Sequence, residues 1–402
     1  MEMKKHVLVL ASTFPRWPND TTPRFVLDAT KGLTNTYSFT VLAPHHKNAL
    51  ANENMEGIPV KRFRYFFPAG LQRLAYGGGI LPNFKQSLLA KIQAPFFFAS
   101  EFVSAIIITK QKKSAMVHAH WILPQGLIAA LVKKFLGIPY LITIHGSDLF
   151  AASSPIMCSF KRFALRNANA ITVNTGATRQ ELLKFYPHLD VSVSIIPMGI
   201  DTKLFKEKKQ KSPSRYKKNK ILLCVGRLSE QKGFQYAIEA LSILIKKNPS
   251  IHLVIIGEGP YQRQLQEIAR NLNVEKNIAF LGALSHKKVA GFMAQSHIFL
   301  MPSLSGSYGT EALGLSVLEA MASRSAIVAT NIGGLPQIIH NNETGLLVPQ
   351  KNAKKLADAI QRLLDDESLR SQLAVQGQSF AVSRYSWQTI HAQFRKVYEA
   401  IL

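Results

Sequence analysis

KLFKEKKQKSPSRYKKNKILLCVGRLSEQKG, residues 203–233, holds the turning point of the chain. Its first part is lysine-rich, poor in apolar residues and interrupted by Pro213, a composition that suits an exposed linker. Residues 221–225 then form an unbroken apolar run of strand type that stops at Gly226. The chain thus restarts a fold at this point. Upstream, apolar runs of the same kind stand at 6–11, 38–43, 59–64, 115–120, 139–144, 170–173 and 192–196. Downstream they recur at 251–256, 277–280, 297–301, 326–329 and 345–348, and helical patterns lie between them. Continuous β-rich runs joined by helices predict parallel strands covered on both faces.

The expected architecture is therefore α/β, with two Rossmann-like doubly wound parallel-sheet domains facing a cleft. Residues 1–200 make the first domain, 201–220 a basic linker and 221–384 the second domain. Residues 385–402 form a last helix that packs back toward the first domain. A length of 402 residues and an apolar fraction of 47% are ample for two cores. The opening MEMKK followed by HVLVLA reads as a first strand rather than a secretory leader. Cys158 and Cys224 are far apart in sequence and fit two buried thiols in a reduced compartment better than a disulfide framework. The longest apolar run, 94–109, carries Glu101 and is short for a spanning segment. A buried helix of the fold is the first reading, and a membrane-facing helix the second.

Lys and Arg number 49 against 24 Asp and Glu, a formal net charge of +25. Such a surplus implies an anionic partner: nucleic acid, an acidic membrane, or phosphorylated substrates. No helix-turn-helix, zinc finger, K homology loop or RNP-type strand is present, so nucleic acid is not expected. Neither G-x-G-x-x-G nor G-x-x-x-x-G-K-[ST] occurs, which disfavours a dinucleotide dehydrogenase or a P-loop kinase. Gly257-Glu258-Gly259-Pro260 is the nearest approach. It reads as a tight strand-to-helix turn, with Pro260 suited to open the helix.

Two stretches can carry chemistry. Arg227 and Lys232 sit five apart on the turn that follows residues 221–225, where a guanidinium and an ammonium can grip both phosphates of a diphosphate. A solvated turn with ordinary surface charges fits the same residues. Farther on, a small-residue loop after residues 298–301 leads to Glu311 and then to a helix starting near Gly314 and Leu315, whose free amides make an anion site. Glu311 and Glu319 are eight apart, too far to meet on one helix turn, so the first belongs in the loop. Ser316-Val-Leu-Glu319 matches a capping box, and locally the cap is the better reading of Glu319 than a ribose-binding carboxylate.

The E-x7-E of Glu311 and Glu319, the following EAMAS and the upstream GRLSEQKG closely resemble the retaining glycosyltransferase family 4, of GT-B fold and bacterial cell-envelope type. STFPRWPND at 12–20, HAHWILPQG at 118–126, TIHGSD at 143–148 and IIPMGID at 195–201 share the resemblance. So do NIGGLPQII at 331–339, TGLLVP at 344–349 and YSW at 385–387. The resemblance implies a UDP- or GDP-sugar held by the second domain, with Arg227 and Lys232 on its diphosphate. It implies Glu311 on the donor sugar and Glu319 on the ribose, and it shifts Glu319 from cap toward function. His145 matches a histidine that faces the donor sugar, and Asp148 positions acceptor or loop. His120 is a further candidate for acceptor positioning, although His118 and His120 also read as packed histidines. Two positions depart from the pattern: Arg324 replaces a glycine, so its turn is either not left-handed or strained, and Gln337 replaces a glutamate.

The implied reaction is metal-independent hexosyl transfer with retention and needs no cofactor beyond the nucleotide-sugar co-substrate. No D-x-D motif is present, and Asp365-Asp366-Glu367 reads as a solvated helix boundary. The acceptor expected is a saccharide or lipid-linked hydroxyl, bound by the first domain. Lys61-Arg62-Phe63-Arg64-Tyr65-Phe66-Phe67, with Arg73 and Lys85, can lie against an acidic leaflet, or can form a strand with a charged exposed face. The expectation is a cytoplasmic protein, peripheral on the inner face of the membrane if this stretch meets the leaflet. Two rivals stay open: a sugar-nucleotide epimerase or phosphorylase of the same architecture, and a non-catalytic basic protein binding lipid or nucleic acid.

Overall fold

The structure, a computed structural model, describes residues 4–18, 20–77, 79–151, 154–206, 220–306 and 310–402. The chain divides into two compact units, the first comprising Met1–Gly199 with Ile390–Leu402 and the second Ile200–Thr389.

In the first unit β1 (His6–Leu10), β2 (Ser38–Pro44), β3 (Asn52–Met55), β4 (Ile58–Phe63), β5 (Met116–His120), β6 (Tyr140–Ile144), β7 (Ala170–Val173) and β8 (Val193–Ile195) form one sheet, ordered β3-β4-β2-β1-β5-β6-β7-β8. All neighbours from β4 to β8 pair in parallel, with Val7 opposite Phe39 on one side and Met116 on the other. Residues in β1, β5 and β6 are buried throughout, because helices cover both sheet faces. The chain runs outward from β1 through β2 to β4 and returns to β5 on the other side of β1. The strand order therefore reverses between β1 and β5.

One strand departs from the all-parallel expectation. β3 pairs antiparallel with β4 through the two-residue turn Glu56–Gly57, both at positive φ, and Gly57 N–H donates to Asn54 Oδ1. Its sequence, NENM, is polar because β3 is the sheet edge, so apolar patterning could not reveal it.

In the second unit β9 (Lys220–Val225), β10 (Ile251–Ile256), β11 (Ile278–Phe280), β12 (Ile298–Met301), β13 (Ala326–Thr330) and β14 (Leu346–Val348) lie in the order β11-β10-β9-β12-β13-β14, all parallel. Here the order reverses between β9 and β12. Leu222, Cys224, Leu253, Ile255, Leu300 and Val328 are fully buried at its core.

The expected linker at 201–220 begins instead with a helix, Thr202–Lys206, started by Asp201, whose carboxylate accepts from the amides of Lys203 and Leu204. Phe205 is buried there against His286. Residues 207–219 lie outside the described residues. The last helix, Trp387–Ile401, ends within the first unit: Lys5 Nζ donates to Leu402 O, and His391 Nε2 bonds Asp28 O at 2.9 Å. Gly32 is required beneath it, since a Cβ there would stand 1.9 Å from the His391 ring.

The apolar run at 94–109 is part of a 25-residue helix, Leu88–Lys112, capped by Ser87, whose hydroxyl accepts from Ala90 N–H. One face carries Ala90, Phe97, Ala105 and Ile108 into the core, together with Glu101. Burial pushes the Glu101 carboxyl up to about 8, partly offset by the hydrogen bond from Gln125. The expected buried helix is thus buried on one side only. Cys224 is buried as expected, but Cys158 is half-buried, and neither is in a disulfide. Arg324 adopts φ +64°, so the strained alternative is the one realised at that turn. Asp366 caps the helix Glu367–Tyr385 directly after the helix ending at Asp365, the boundary expected for that acidic triplet. Pro260 lies before the helix Gln262–Asn271 and its cap Tyr261 rather than opening it.

Candidate active site

In the second unit the two strands that flank the reversal, β9 and β12, deliver the predicted residues from their carboxyl ends, where ligands bind in open α/β sheets. β9 ends at Val225 and runs into Gly226 and the exposed Arg227, and Lys232 closes the following 3-10 turn, Glu230–Lys232. Gly233 takes φ +64°, and a Cβ there would lie 1.9 Å from Pro302 O. That close approach lets the loop after β12 press against the turn after β9, and Leu304 N–H donates to Gln231 O at 2.7 Å.

Glu311 is held between these loops. Its Oε2 accepts from Lys232 Nζ at 2.7 Å and from Ser303 Oγ at 3.2 Å. Burial alone would raise its pKa, but the Lys232 charge, these two hydrogen bonds and the Gly314 amide outweigh it and hold the carboxyl below its ordinary value. Its own carbonyl accepts from Gly334 N–H at 2.9 Å, and Gly333 must lack a Cβ, which would fall 2.2 Å from that carbonyl. Ser307, Tyr308 and Gly309 of this loop lie outside the described residues.

The helix Leu315–Ala322 begins at Gly314, which sits at φ +72° as its cap. Ser316 is therefore inside the first turn, and the capping box expected with Glu319 does not form. Glu319 instead meets His286 Nε2 through Oε1 at 2.8 Å, with only 7% of the residue exposed. Local sequence could not show this partner. His286 opens another helix, His286–Met293, and the only hint was a histidine following the helix-starting Ser285.

In the first unit a second group forms at the ends of β5 and β6. His118 and His120 project from β5, and His145 follows β6. His118 bonds Tyr398 OH at 2.8 Å and Thr143 Oγ1 at 2.7 Å, a packed histidine as one reading expected. His120 has no exposed surface; its Nδ1 lies 3.1 Å from His145 Nε2. It touches His145 rather than solvent, so any part it has in acceptor positioning runs through that ring. His145 is partly exposed and packs against Trp121 at 4.8 Å and Phe25 at 4.9 Å between ring centroids. Burial pushes His118 and His145 down to about 3 and His120 well below its ordinary value, so all three are neutral imidazoles near pH 7. Asp148 ties the loop: Oδ1 accepts from His145 N–H and Oδ2 from Ile122 N–H, each at 3.0 Å. Burial lifts its pKa to about 6 against the pull of these amides.

The basic, aromatic stretch at 61–67 is mostly inside. Arg62 is buried in β4, paired with Glu53 and bonded to Tyr76 OH and Pro15 O, and Phe63 and Tyr65 are core residues. Of this stretch only Arg64 and Phe67 are exposed, as are Arg73 and Lys85 nearby in sequence. The reading of this stretch as a lipid-facing strip is corrected accordingly.

Residues 22–204 match the family profile described as Glycosyltransferase Family 4, and residues 205–380 match that of Glycosyl transferases group 1. The chain belongs to these glycosyltransferases. The glycosyltransferase is 27% identical over 313 residues to the alpha-D-kanosaminyltransferase of Streptomyces kanamyceticus, covering 73% of this chain and 79% of that one. It is 25% identical over 277 residues to a GDP-mannose-dependent alpha-(1-6)-phosphatidylinositol monomannoside mannosyltransferase of Mycobacterium tuberculosis, covering 67% and 72% of the two chains. Its fold is that of the sucrose-phosphate synthase of Thermosynechococcus elongatus, at TM-score 0.79 and 19% identity over 98% of both chains. Anabaena HepE, solved in complex with UDP, also shares it, at TM-score 0.72 and 17% identity over 99% and 100%. The α/β fold of two Rossmann-like sheets expected from the sequence is thereby established. Among the described residues no group of three or more His, Cys, Asp or Glu could hold a metal ion.

Proposed function

We propose that this glycosyltransferase moves a hexosyl unit, with retention, from a UDP- or GDP-sugar to a hydroxyl of a lipid-linked or polysaccharide-precursor acceptor. The observation that carries the reading is the Lys232–Glu311 pair, with Arg227 on the same turn after β9 as Lys232, at the point where the second sheet reverses its order. Two cations and the amides that open the Leu315–Ala322 helix suit a diphosphate, and a carboxylate held ionised beside them suits a sugar hydroxyl. The hard step is departure of the nucleoside diphosphate. Arg227, Lys232 and the Gly314–Leu315 amides stabilise the charge that grows on the leaving phosphate, an electrostatic contribution of several kcal/mol. The departing diphosphate then accepts the proton of the incoming hydroxyl. With two cations on the phosphates, the step needs no metal and no further cofactor. The mycobacterial relative is named for a phosphatidylinositol-linked acceptor, which supports a lipid-linked one here. A lipid-linked acceptor and a net charge of +25 together support a cytoplasmic protein, peripheral on an acidic membrane face.

Thermal shifts with UDP, GDP and ADP and their sugars test the donor. A nucleoside diphosphate at a hundred times its Kd adds about 2.7 kcal/mol of stability. UDP or GDP is expected to raise Tm, with or without EDTA, and ADP to leave it unchanged. No response to any of them overturns the reading. Mass spectrometry then distinguishes a transfer product from an isomerised donor.

Glu319 is assigned to the donor ribose, with His286 steadying its carboxylate. Glu319→Gln keeps an oxygen that accepts from His286 but loses the charge. Stability is expected to change by less than about 1 kcal/mol, while donor KM rises about tenfold. A variant with unaltered KM would return Glu319 to a purely structural role.

A further inference from the structure

Residues 57–147 contain eleven Lys and Arg and a single acidic residue, Glu101, which is fully buried against Gln125. The helix Leu88–Lys112 crosses this stretch, and its two faces differ. The inner face packs into the core of the first unit. The outer face carries Leu88, Ile92, Phe96, Val103 and Ile107, between 47% and 74% exposed. At 100° per residue these five side chains fall within an arc of about 100°, a continuous apolar stripe along the helix. Phe135, 64% exposed, extends it sideways by packing on Phe102 at 5.9 Å. Between Lys91 and Lys110 the helix has no ionisable side chain but the buried Glu101. Exposed lysines stand near both ends of the stripe: Lys85 and Lys91 around its start, and Lys110, Lys112 and Lys113 after it.

An apolar stripe this long on a water-exposed helix calls for a covering surface. Its length and composition would let the helix cross a bilayer, but a helix with one face locked into a sheet core cannot span. A second copy of the chain would bring lysines against lysines. An anionic bilayer meets both features, since lysines reach lipid phosphates while the apolar stripe enters the acyl boundary.

We propose that the outer face of the Leu88–Lys112 helix is the membrane-docking surface of the protein, lying flat in an anionic leaflet. The inference rests on the peripheral placement proposed above and specifies the face that makes it.

The test uses the full chain and sedimentation with vesicles of phosphatidylcholine alone or mixed with phosphatidylglycerol. The parent is expected to bind the anionic vesicles and to release as salt rises, because screening shortens to about 8 Å at physiological strength. The triple variant Ile92→Asp, Val103→Asp, Ile107→Asp alters exposed positions only. It is expected to keep the parent's melting curve and its response to UDP or GDP while vesicle affinity falls about tenfold or more. Lys110→Ala, Lys112→Ala and Lys113→Ala together are expected to flatten the salt dependence. If the parent fails to bind anionic vesicles, the peripheral placement itself is wrong. If the parent binds and the Asp variant binds equally well, the placement stands and this face is not the docking surface. A parent that is dimeric by sedimentation velocity, and that the Asp variant makes monomeric with vesicle binding unchanged, assigns the stripe to self-association and overturns the proposal.

Discussion

Lys232→Met is expected to remove most sugar transfer and to lower the unfolding free energy by about 2 to 4 kcal/mol. Both effects come from one ion pair. Lys232 Nζ and Glu311 Oε2 stand 2.7 Å apart, with side chains 22% and 14% exposed. Without Lys232, Glu311 keeps, among the described residues, the Ser303 hydroxyl and the Gly314 amide, and the cost of burying its charge is no longer offset. A bound diphosphate loses a cation in the same change, so donor affinity falls with turnover. The sign of the pH dependence follows. In the parent the folded pKa of Glu311 is depressed, so its stabilising share is present above the ordinary carboxylate range and fades as pH falls through the folded value. In the variant burial dominates and raises that pKa. The charged carboxylate then costs stability at neutral pH, and the gap to the parent narrows on acidification. Urea melts at pH 7 and pH 4.5 measure this. Adding Glu311→Gln to Lys232→Met is expected to restore part of the stability and none of the transfer. A single variant that melts like the parent and binds UDP and GDP equally well would remove both the pair's structural role and the diphosphate assignment.

If His145 faces the donor sugar, as the family resemblance implies, His145→Ala is expected to cut transfer by about 10² to 10³-fold, the usual effect of removing one preorganised polar group. Nucleoside-diphosphate affinity is expected to stay within about twofold, since the residues proposed to hold the diphosphate all lie in the second unit. The ring is neutral across the working range because burial holds it near 3. Turnover against pH should therefore show no inflection near 6.5 arising from His145. Asp148→Ala is expected to lower transfer less, by unpinning the loop from which His145 projects, with its amide and that of Ile122 both losing their acceptor. Isothermal titration with UDP and GDP, beside single-turnover transfer, separates binding from chemistry. The assignment fails if His145→Ala transfers sugar at the parent rate.

The sequence by itself determined the layered α/β plan, because parallel strands covered on both faces must be continuous apolar runs, and such runs can be read directly from residues. It also placed Arg227, Lys232 and Glu311 on loops that follow strands, since glycine-marked turns and small-residue loops announce where a strand ends. The polar edge strand Asn52–Met55 escaped because an edge has no buried face to impose a pattern. Pairings between distant segments belonged to the tertiary structure alone. Local spacing offered Glu319 a cap, and only the packing of two helices gave it His286, 33 residues away. Lys232 and Glu311, 79 residues apart, meet because the strand order reverses between β9 and β12. His118 reaches Tyr398 because the last helix returns to the first unit. The apolar run at 94–109 was visible in composition, but its division into a core face and an open face depends on which side the sheet occupies. That is a fact of packing, which no window of sequence contains.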